Sequence, residues 1–225
     1  MLLPGDPGRA LLLAQALLHE PKMFNHNRGL WGYTGEAADG RPLTIQSTGM
    51  GGPSAAIVIA ELAALGATTL VRVGTCGALD GSLALGQLLV VTEALAADGT
   101  SRALGAGKRI AASPDVLDRL TAAATDGAAS GAIVSSDLFY DGEDGAEESW
   151  RAAGALAVEM ETATLFALAR RRGLRAGCAL IVSDIVLPER RRIAPESLRD
   201  AEHRLGALAL AALSADGVEA QRAGV

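Results

Sequence analysis

Two short segments place an arginine beside groups that could bind an anion. Gly5 lies in a Gly/Pro-rich turn that leads into a helix at Arg9, and Arg72 interrupts an apolar strand that is followed by Thr75. A glycine lets a backbone N–H approach an oxyanion closely, and a guanidinium offers a planar fork of donors that matches phosphate. A buried arginine needs a carboxylate or an anion as partner, and two such segments in one chain favour the anion. The alternatives are an ordinary strand-to-helix turn for Arg9 and an internal pair with an aspartate for Arg72.

Two acidic segments could serve a sugar and a leaving group. Glu159 and Glu161 flank Met160 where an apolar strand meets a helix, and Asp184 follows Ser183 at the end of another apolar strand. A carboxylate at the end of a strand can accept hydrogen bonds from vicinal hydroxyls, although acids in a first helical turn also complement the helix dipole. We expect Asp184 to be buried and partly protonated, so that it can donate a proton to a leaving group. The alternative is that Asp184 caps a following helix.

The elements that must position these residues follow an α/β pattern. Apolar runs typical of strands occur at Leu43–Thr48, Thr69–Val73, Leu88–Thr92, Ala132–Ser135, Ala155–Met160 and Ala176–Val182. Helical patterns occur from Arg9 to about Leu18 and at Gly52–Leu65, Ser113–Ala124, Glu161–Arg172 and Pro195–Leu213. This alternation predicts a largely parallel or mixed central sheet with helices on both faces, and sites at the carboxyl ends of the strands.

The remaining segments are a hairpin and several loops. Residues Gly29–Thr48 form two extended stretches around Asp39-Gly40, a dipeptide suited to a tight turn, and therefore predict a β-hairpin. Gly105–Lys108 and Asp141–Glu148 are expected to be loops, the second of which could cover a site. The tail after Ser214 is expected to fray.

Composition narrows the class of protein. The 225 residues are 49% hydrophobic and 20% charged, enough for one core, so a single domain over residues 1–225 is expected. The formal net charge of −6 argues against general nucleic-acid binding and leaves small anions open. Cys76 and Cys178 stand apart in apolar runs, which indicates neither disulfides nor a metal site. With no signal peptide or membrane-spanning run evident, a cytoplasmic protein is expected.

Taken in order, these segments resemble the hexameric, bacterial-type purine nucleoside phosphorylases and their uridine phosphorylase relatives. The resemblance covers nearly the whole chain. It is carried by Pro4–Arg9, Asn27–Gly29, Gly49–Ser54, Arg72–Gly77, Ser136–Tyr140, Val158–Glu161 and Ser183-Asp184.

The resemblance implies a role for each site residue. Phosphate would be held by Gly5, Arg9, Arg72 and Thr75, with Arg28 reaching the phosphate of the neighbouring subunit. Ribose would be held by Met50, Met160 and Glu161. The base pocket would contain Cys76, Gly77, Phe139, Val158, Glu159 and Ser183. Asp184 would be the acid that protonates the purine.

The resemblance also implies phosphorolysis of purine nucleosides by a homo-oligomer, expected to be a hexamer built as a trimer of dimers. Inorganic phosphate would be a co-substrate, and no cofactor or metal is expected. Ser183-Asp184, and the lack of a glutamine and an arginine near Phe139, match the purine-type members, whereas Thr75 matches the pyrimidine type. The alternatives are a uridine phosphorylase, a hydrolytic nucleosidase of the same fold, and a binding module without catalysis.

Several details differ from the family pattern or stay open. The histidine that family members extend to the neighbour's ribose has no counterpart among His19, His26 and His203. The family's arginine that assists the acid cannot be aligned, which leaves Arg190, Arg191 and Arg192 as candidates in a basic run that is otherwise typical of a solvated loop. The choice between 6-oxo and 6-amino purines also stays open, because Asp184 could serve either.

Overall fold

The computed structural model describes residues 1–125, 127–140 and 142–214. In chain order its elements are β1 (Leu2–Leu3), α1 (Pro7–Leu17), β2 (Leu18–Asn25), a 3-10 turn (Asn27–Gly29), β3 (Gly32–Ala37), β4 (Pro42–Gln46), α2 (Gly52–Ala64), β5 (Thr69–Ala78), β6 (Leu88–Ala96), α3 (Gly99–Ala103), β7 (Arg109–Ala111), α4 (Pro114–Ala123), β8 (Ala129–Ser135), α5 (Ala146–Ala152), β9 (Ala157–Glu159), α6 (Thr162–Arg172), β10 (Arg175–Ile185), β11 (Arg191–Arg192) and α7 (Pro195–Ser214). The tail after Ser214 and Asp141, the first residue of the second predicted loop, lie outside the described residues.

The predicted helices are confirmed, with ends that differ by one or two residues. Local chemistry sets their starts: α1 begins at Pro7 after Asp6, whose carboxylate accepts a hydrogen bond from the N–H of Gly8 at 2.9 Å. The predicted hairpin is also confirmed, because β3 pairs antiparallel with β4 around a turn in which Gly40 has a φ of 80°. The predicted loop at 141–148 is corrected in part, since α5 begins inside it at Ala146.

The sheet is mixed, as one form of the prediction had it, but it is not largely parallel and part of it closes on itself. Strands β5, β10, β6, β8 and β9 are hydrogen-bonded in a closed circuit, and β1, β4, β3 and β2 extend the sheet outward from β5. Among the described strands five pairings are parallel and six are antiparallel, so the sheet is mixed. Within the circuit, β5 has neighbours of both directions, since β10 runs parallel to it and the short β9 runs antiparallel.

Two clusters of buried apolar residues pack the helices against the sheet. The first joins α2 and α6 to the sheet through residues such as Ile59 and Phe166. The second joins α1, α4 and α7 to it through residues such as Leu13, Leu120 and Leu205. The helices therefore form two groups, each buried against a different part of the sheet. No helix in the part of the chain that the structure describes is long and apolar enough to cross a membrane.

Strand β2 was not predicted. All but its first and last residues are exposed, and Pro21 lies inside it, so it has neither a core-facing alternation nor a full set of N–H donors. It forms a sheet edge paired with β3, and Met23 and Phe24 are each 47% exposed on it. Immediately after it, Arg28 adopts a φ of 55° in the 3-10 turn.

Candidate active site

A cavity of about 520 Å³ opens where β1, β5, β9 and β10 end. Its wall contains all of the residues expected to bind phosphate, ribose and base except Arg28, namely Gly5, Arg9, Met50, Arg72, Thr75, Cys76, Gly77, Phe139, Val158, Glu159, Met160, Glu161, Ser183 and Asp184. Segments separated by more than a hundred residues thus converge at one edge of the sheet.

Arg72 is a buried residue of the cavity wall. Strand β5 continues past the predicted end at Val73, because the segment through Ala78 also pairs with β10. The Arg72 Nε donates to Glu159 at 2.8 Å, and Nη2 pairs with Glu161 at 2.5 Å. Burial lowers the pKa of Arg72, but Glu161 and Glu159 more than offset this and hold it above its usual value. The guanidinium is therefore a fixed cation.

One guanidinium nitrogen of Arg72 is not used in these ion pairs. Its Nη1 is buried and has no hydrogen-bond partner among the described residues. A β-carbon added to Gly5 would lie 3.1 Å from the carbonyl oxygen of Gly49 and 3.9 Å from this Nη1, so a glycine keeps the space open. An unpartnered buried donor is costly, and an anion seated beside Gly5 would satisfy it.

Arg9 has a similar arrangement. It enters from the first turn of α1, and its Nε donates to Glu202 on α7 at 2.7 Å, with both residues buried. The sequence favoured an anion over an ordinary strand-to-helix turn for Arg9 and over an internal ion pair for Arg72. The structure gives both arginines glutamate partners and still places both in the cavity wall, with Nη1 of Arg72 unpartnered, so an ion pair and an anion are compatible.

Glu159 borders the cavity but has little hydrogen-bonding capacity left for a ligand. Its carboxylate accepts hydrogen bonds from Ser135 Oγ, from the backbone N–H groups of Glu161 and Thr162, and from Arg72. These four donors occupy its acceptor sites. In the structure Glu159 orients Arg72 and the start of α6, and a contact of Glu159 with the base stays a prediction.

Glu161 is the more available of the two acids. One oxygen accepts a hydrogen bond from the N–H of Gly51 at 2.5 Å, and the other pairs with Arg72. Burial raises the pKa of Glu161, which Arg72 opposes and Glu159 reinforces. The nearby Met50 is 85% exposed, and Met160 completes this part of the wall.

Another part of the cavity wall is aromatic and apolar. Phe139 is 48% exposed and meets Tyr140 edge to face, with ring centroids 4.8 Å apart. The Arg190 guanidinium lies 5.1 Å from the centroid of the Phe139 ring. The buried Cys76 thiol, whose pKa burial raises, hydrogen-bonds to the carbonyl of Ile181, so it packs as a small apolar group. A flat aromatic ligand could stack on Phe139 here.

Asp184 borders the cavity near the end of β10. A bulge in β10 after Val182 shifts the register before Asp184. Ser183 Oγ donates to one carboxylate oxygen at 2.8 Å, and Arg192 Nε donates to the other at 3.0 Å. The expected burial is only partial, because 14% of the Asp184 side chain is exposed and it is ion-paired with Arg192. The arginine beside the acid is therefore Arg192.

The basic run is correspondingly not only a solvated loop. Arg191 and Arg192 form β11, which pairs with the end of β10, and Arg190 lies over Phe139. Arg28 is the one predicted site residue outside the cavity wall, since its turn lies on the exposed edge next to β2.

Sequence reasoning missed Glu202. It is separated from Arg9 by 193 positions, and no local pattern connects them. One feature of α7 could have indicated such a contact. Among the buried positions of α7 in the part of the chain that the structure describes, Glu202 is the only charged residue. A carboxylate on the apolar face of a helix requires a cation on the surface against which that face packs.

Comparison with known proteins agrees with this arrangement. Residues 1–214 match the model of the phosphorylase superfamily. The chain is 42% identical over 185 residues to a guanosine phosphorylase of Halorubrum lacusprofundi, a match that covers 80% of this chain and 76% of the relative. It is 37% identical over 194 residues to a DeoD-type purine nucleoside phosphorylase of Geobacillus kaustophilus, covering 83% and 81%. A DeoD-type enzyme of Caldanaerobacter subterraneus is 36% identical over 192 residues, covering 82% of each chain.

The chain belongs to the phosphorylase superfamily.

Proposed function

We propose that this protein catalyses the reversible phosphorolysis of purine nucleosides to a free base and ribose 1-phosphate. The observation that carries the proposal is the unpartnered, buried Nη1 of Arg72 beside Gly5, in a cavity whose wall also contains Phe139 and Asp184. An anion, a sugar and a flat base could occupy such a cavity together. The relatives named as purine nucleoside and guanosine phosphorylases support the same reaction.

Phosphate would bind between Arg9, Arg72 and Thr75 and attack the anomeric carbon of the ribose. The bond between this carbon and the purine nitrogen breaks as the new bond to the phosphate oxygen forms. Because positive charge develops on the ribose, the phosphate and the nearby Glu161 would stabilise the transition state. Met50 and Met160 would pack against the sugar.

Asp184 would protonate the departing purine, at N7 in our proposal. Ser183 and Arg192 each hold one of its carboxylate oxygens, which fixes the direction of the carboxyl group. When the proton leaves, the resulting carboxylate is stabilised by the Arg192 guanidinium beside it. Phe139 would keep the base in the plane that this transfer requires. No cofactor enters the proposed reaction.

Charge at the phosphate end supports a site shared between subunits. Arg9 and Arg72 face three carboxylates, those of Glu159, Glu161 and Glu202. With all five groups ionised, this cluster carries a net charge of −1 and attracts a phosphate dianion poorly. A second copy of this chain could supply Arg28, which lies on an exposed edge outside its own cavity. We propose a homo-oligomer with such shared sites, a hexamer of three dimers, acting in purine salvage in the cytoplasm.

The deciding experiment is incubation of the purified protein with inosine, with and without phosphate. Phosphate-dependent release of hypoxanthine with formation of ribose 1-phosphate is the expected result. Release without phosphate would establish a nucleosidase, and binding without turnover would establish a binding module. Faster cleavage of uridine than of inosine and guanosine would establish a pyrimidine enzyme.

A further inference from the structure

The two arginines at the phosphate end share one feature. In each, a buried glutamate accepts a hydrogen bond from Nε, and the arginine borders the cavity. Arg72 is held further by Glu161 at Nη2, which leaves only its Nη1 unpartnered. For Arg9 the partner is Glu202, and among the described residues the terminal nitrogens of Arg9 have no hydrogen-bond partner. The Arg9 guanidinium is therefore hydrogen-bonded at Nε, and its terminal nitrogens are available to a ligand.

Stability alone does not account for this pair. Both side chains are about nine-tenths buried, with 8% and 11% of their surface exposed. Taking two charges out of water costs free energy that their attraction only partly offsets, and apolar residues at such positions are often equally or more stabilising. A role for Glu202 in placing the Arg9 guanidinium explains why a charged pair occupies this packed position.

The packing of α7 against α1 sets the length of this contact. Gly206 lies one helical turn after Glu202, and Leu13 lies one turn after Arg9. A β-carbon on Gly206 would lie 2.6 Å from Leu13 Cδ2. The absence of a side chain at Gly206 thus lets the two helices approach closely, which brings the Glu202 carboxylate within 2.7 Å of Arg9 Nε.

We propose that Glu202 is a positioning residue for phosphate: its hydrogen bond to Nε holds the Arg9 guanidinium with both terminal nitrogens directed to the anion. This inference rests on the proposed function. It gives α7 an indirect role in substrate binding, since no described residue of α7 lines the cavity. What matters in this arrangement is the hydrogen-bond geometry, because the negative charge of Glu202 by itself opposes phosphate binding.

Two substitutions separate geometry from charge. Glu202→Gln keeps an acceptor oxygen at the same reach and removes the charge. Glu202→Asp keeps the charge but withdraws the carboxylate by about one C–C bond, roughly 1.5 Å, which is too far to hydrogen-bond Nε without movement of α7. Asp200→Asn is the matched control, since Asp200 is an exposed carboxylate on the same helix.

The affinity for inorganic phosphate is measured by calorimetry on the folded oligomer without nucleoside, and by the phosphate KM during turnover. We expect Glu202→Asp to weaken phosphate binding roughly tenfold or more, Glu202→Gln to stay within about threefold of wild type, and Asp200→Asn to match wild type. The nucleoside KM should stay within about twofold in all three. Melting temperatures identify any variant that has lost its fold.

The inference is overturned if Glu202→Asp binds phosphate as wild type does, or if Glu202→Gln is the more impaired of the two. A lowered melting temperature with unchanged phosphate affinity would make the pair merely structural. These outcomes differ from failure of the proposed function, which would appear as a wild-type protein that does not require phosphate to release a base.

Discussion

Replacing Arg72 with alanine tests whether this arginine is a phosphate ligand or only part of an ion-pair cluster. The side chain is 6% exposed and contacts two carboxylates, and only its Nη1 is unpartnered. The two hypotheses, a phosphate ligand and a purely structural ion-pair residue, predict different measurements. Loss of the ion pairs lowers stability, whereas loss of the free donor weakens phosphate binding.

The expected cost in stability follows from the partners left behind. Removing one member of a buried ion pair costs about 3–5 kcal/mol, because the other charge remains buried. Glu159 keeps donors from Ser135 and from two backbone N–H groups, so we expect a value near 3 kcal/mol. In a chain of this length that corresponds to a fall in Tm of roughly 6–12 °C.

The expected cost in phosphate affinity is calculated separately. A hydrogen bond to a charged group contributes about 1.5–3 kcal/mol, which is roughly a 10- to 150-fold weakening of phosphate binding. The nucleoside KM should change much less, because Arg72 is expected to contact only one of the two substrates. Arg72→Lys, which keeps the charge but not the fork, should lie between alanine and wild type.

The assay compares phosphate KM, nucleoside KM and Tm for wild type, both Arg72 variants and Arg109→Ala. Arg109 also pairs with a glutamate, Glu93, but both side chains are more than a third exposed, so its loss should cost no more than about 1 kcal/mol. An unchanged phosphate KM combined with a lowered Tm in Arg72→Ala would refute the reasoning and leave Arg72 as a structural residue.

Four further predictions address the rest of the site. Asp184→Asn should lower kcat for inosine and guanosine roughly 100- to 10,000-fold with less effect on substrates that have good leaving groups, and near wild-type cleavage would exclude Asp184 as the acid. Arg192→Gln should lower kcat about tenfold without changing the phosphate KM, because only the Asp184 carboxylate loses a partner; steady-state kinetics would exclude this role if kcat were unchanged. Burial raises the pKa of Glu161 above 4.5, so its contribution to stability is present below pH 4.5 and is lost as pH rises through the raised value. The Tm of Glu161→Gln relative to wild type should therefore increase as pH rises from 4.5, and a pH-independent difference would contradict this. Finally, Arg28→Ala and Arg72→Ala subunits should each be weakly active but regain activity when mixed, and no recovery despite subunit exchange shown by mass spectrometry would exclude a shared site.

The sequence by itself determined most of the local structure and the membership of the cavity wall. The hairpin at Asp39-Gly40 and the helix starting at Pro7 depend on turn and capping chemistry that acts within a few residues. Apolar strands that end in Thr75, Glu159 and Asp184 were enough to predict that these residues meet. The reason is that the carboxyl ends of parallel strands such as β5 and β10 meet at one sheet edge. Glu159 joins them because the three-residue β9, although antiparallel, pairs with the end of β5.

Only the tertiary structure decided the direction of several strands and the partners of the charged groups. The antiparallel pairings of β6 with β10 and of β9 with β5 close the sheet, and the exposed β2 lacks any core-facing pattern. The same holds for the contact of Glu202 with Arg9, and for the choice of Arg192 from the three candidate arginines as the partner of Asp184. Periodicity in a sequence shows which face of an element is buried but carries no information on which distant element covers it. A contact such as that of Arg9 with Glu202 depends on how closely α1 and α7 pack, and that distance is set by side chains on both helices together.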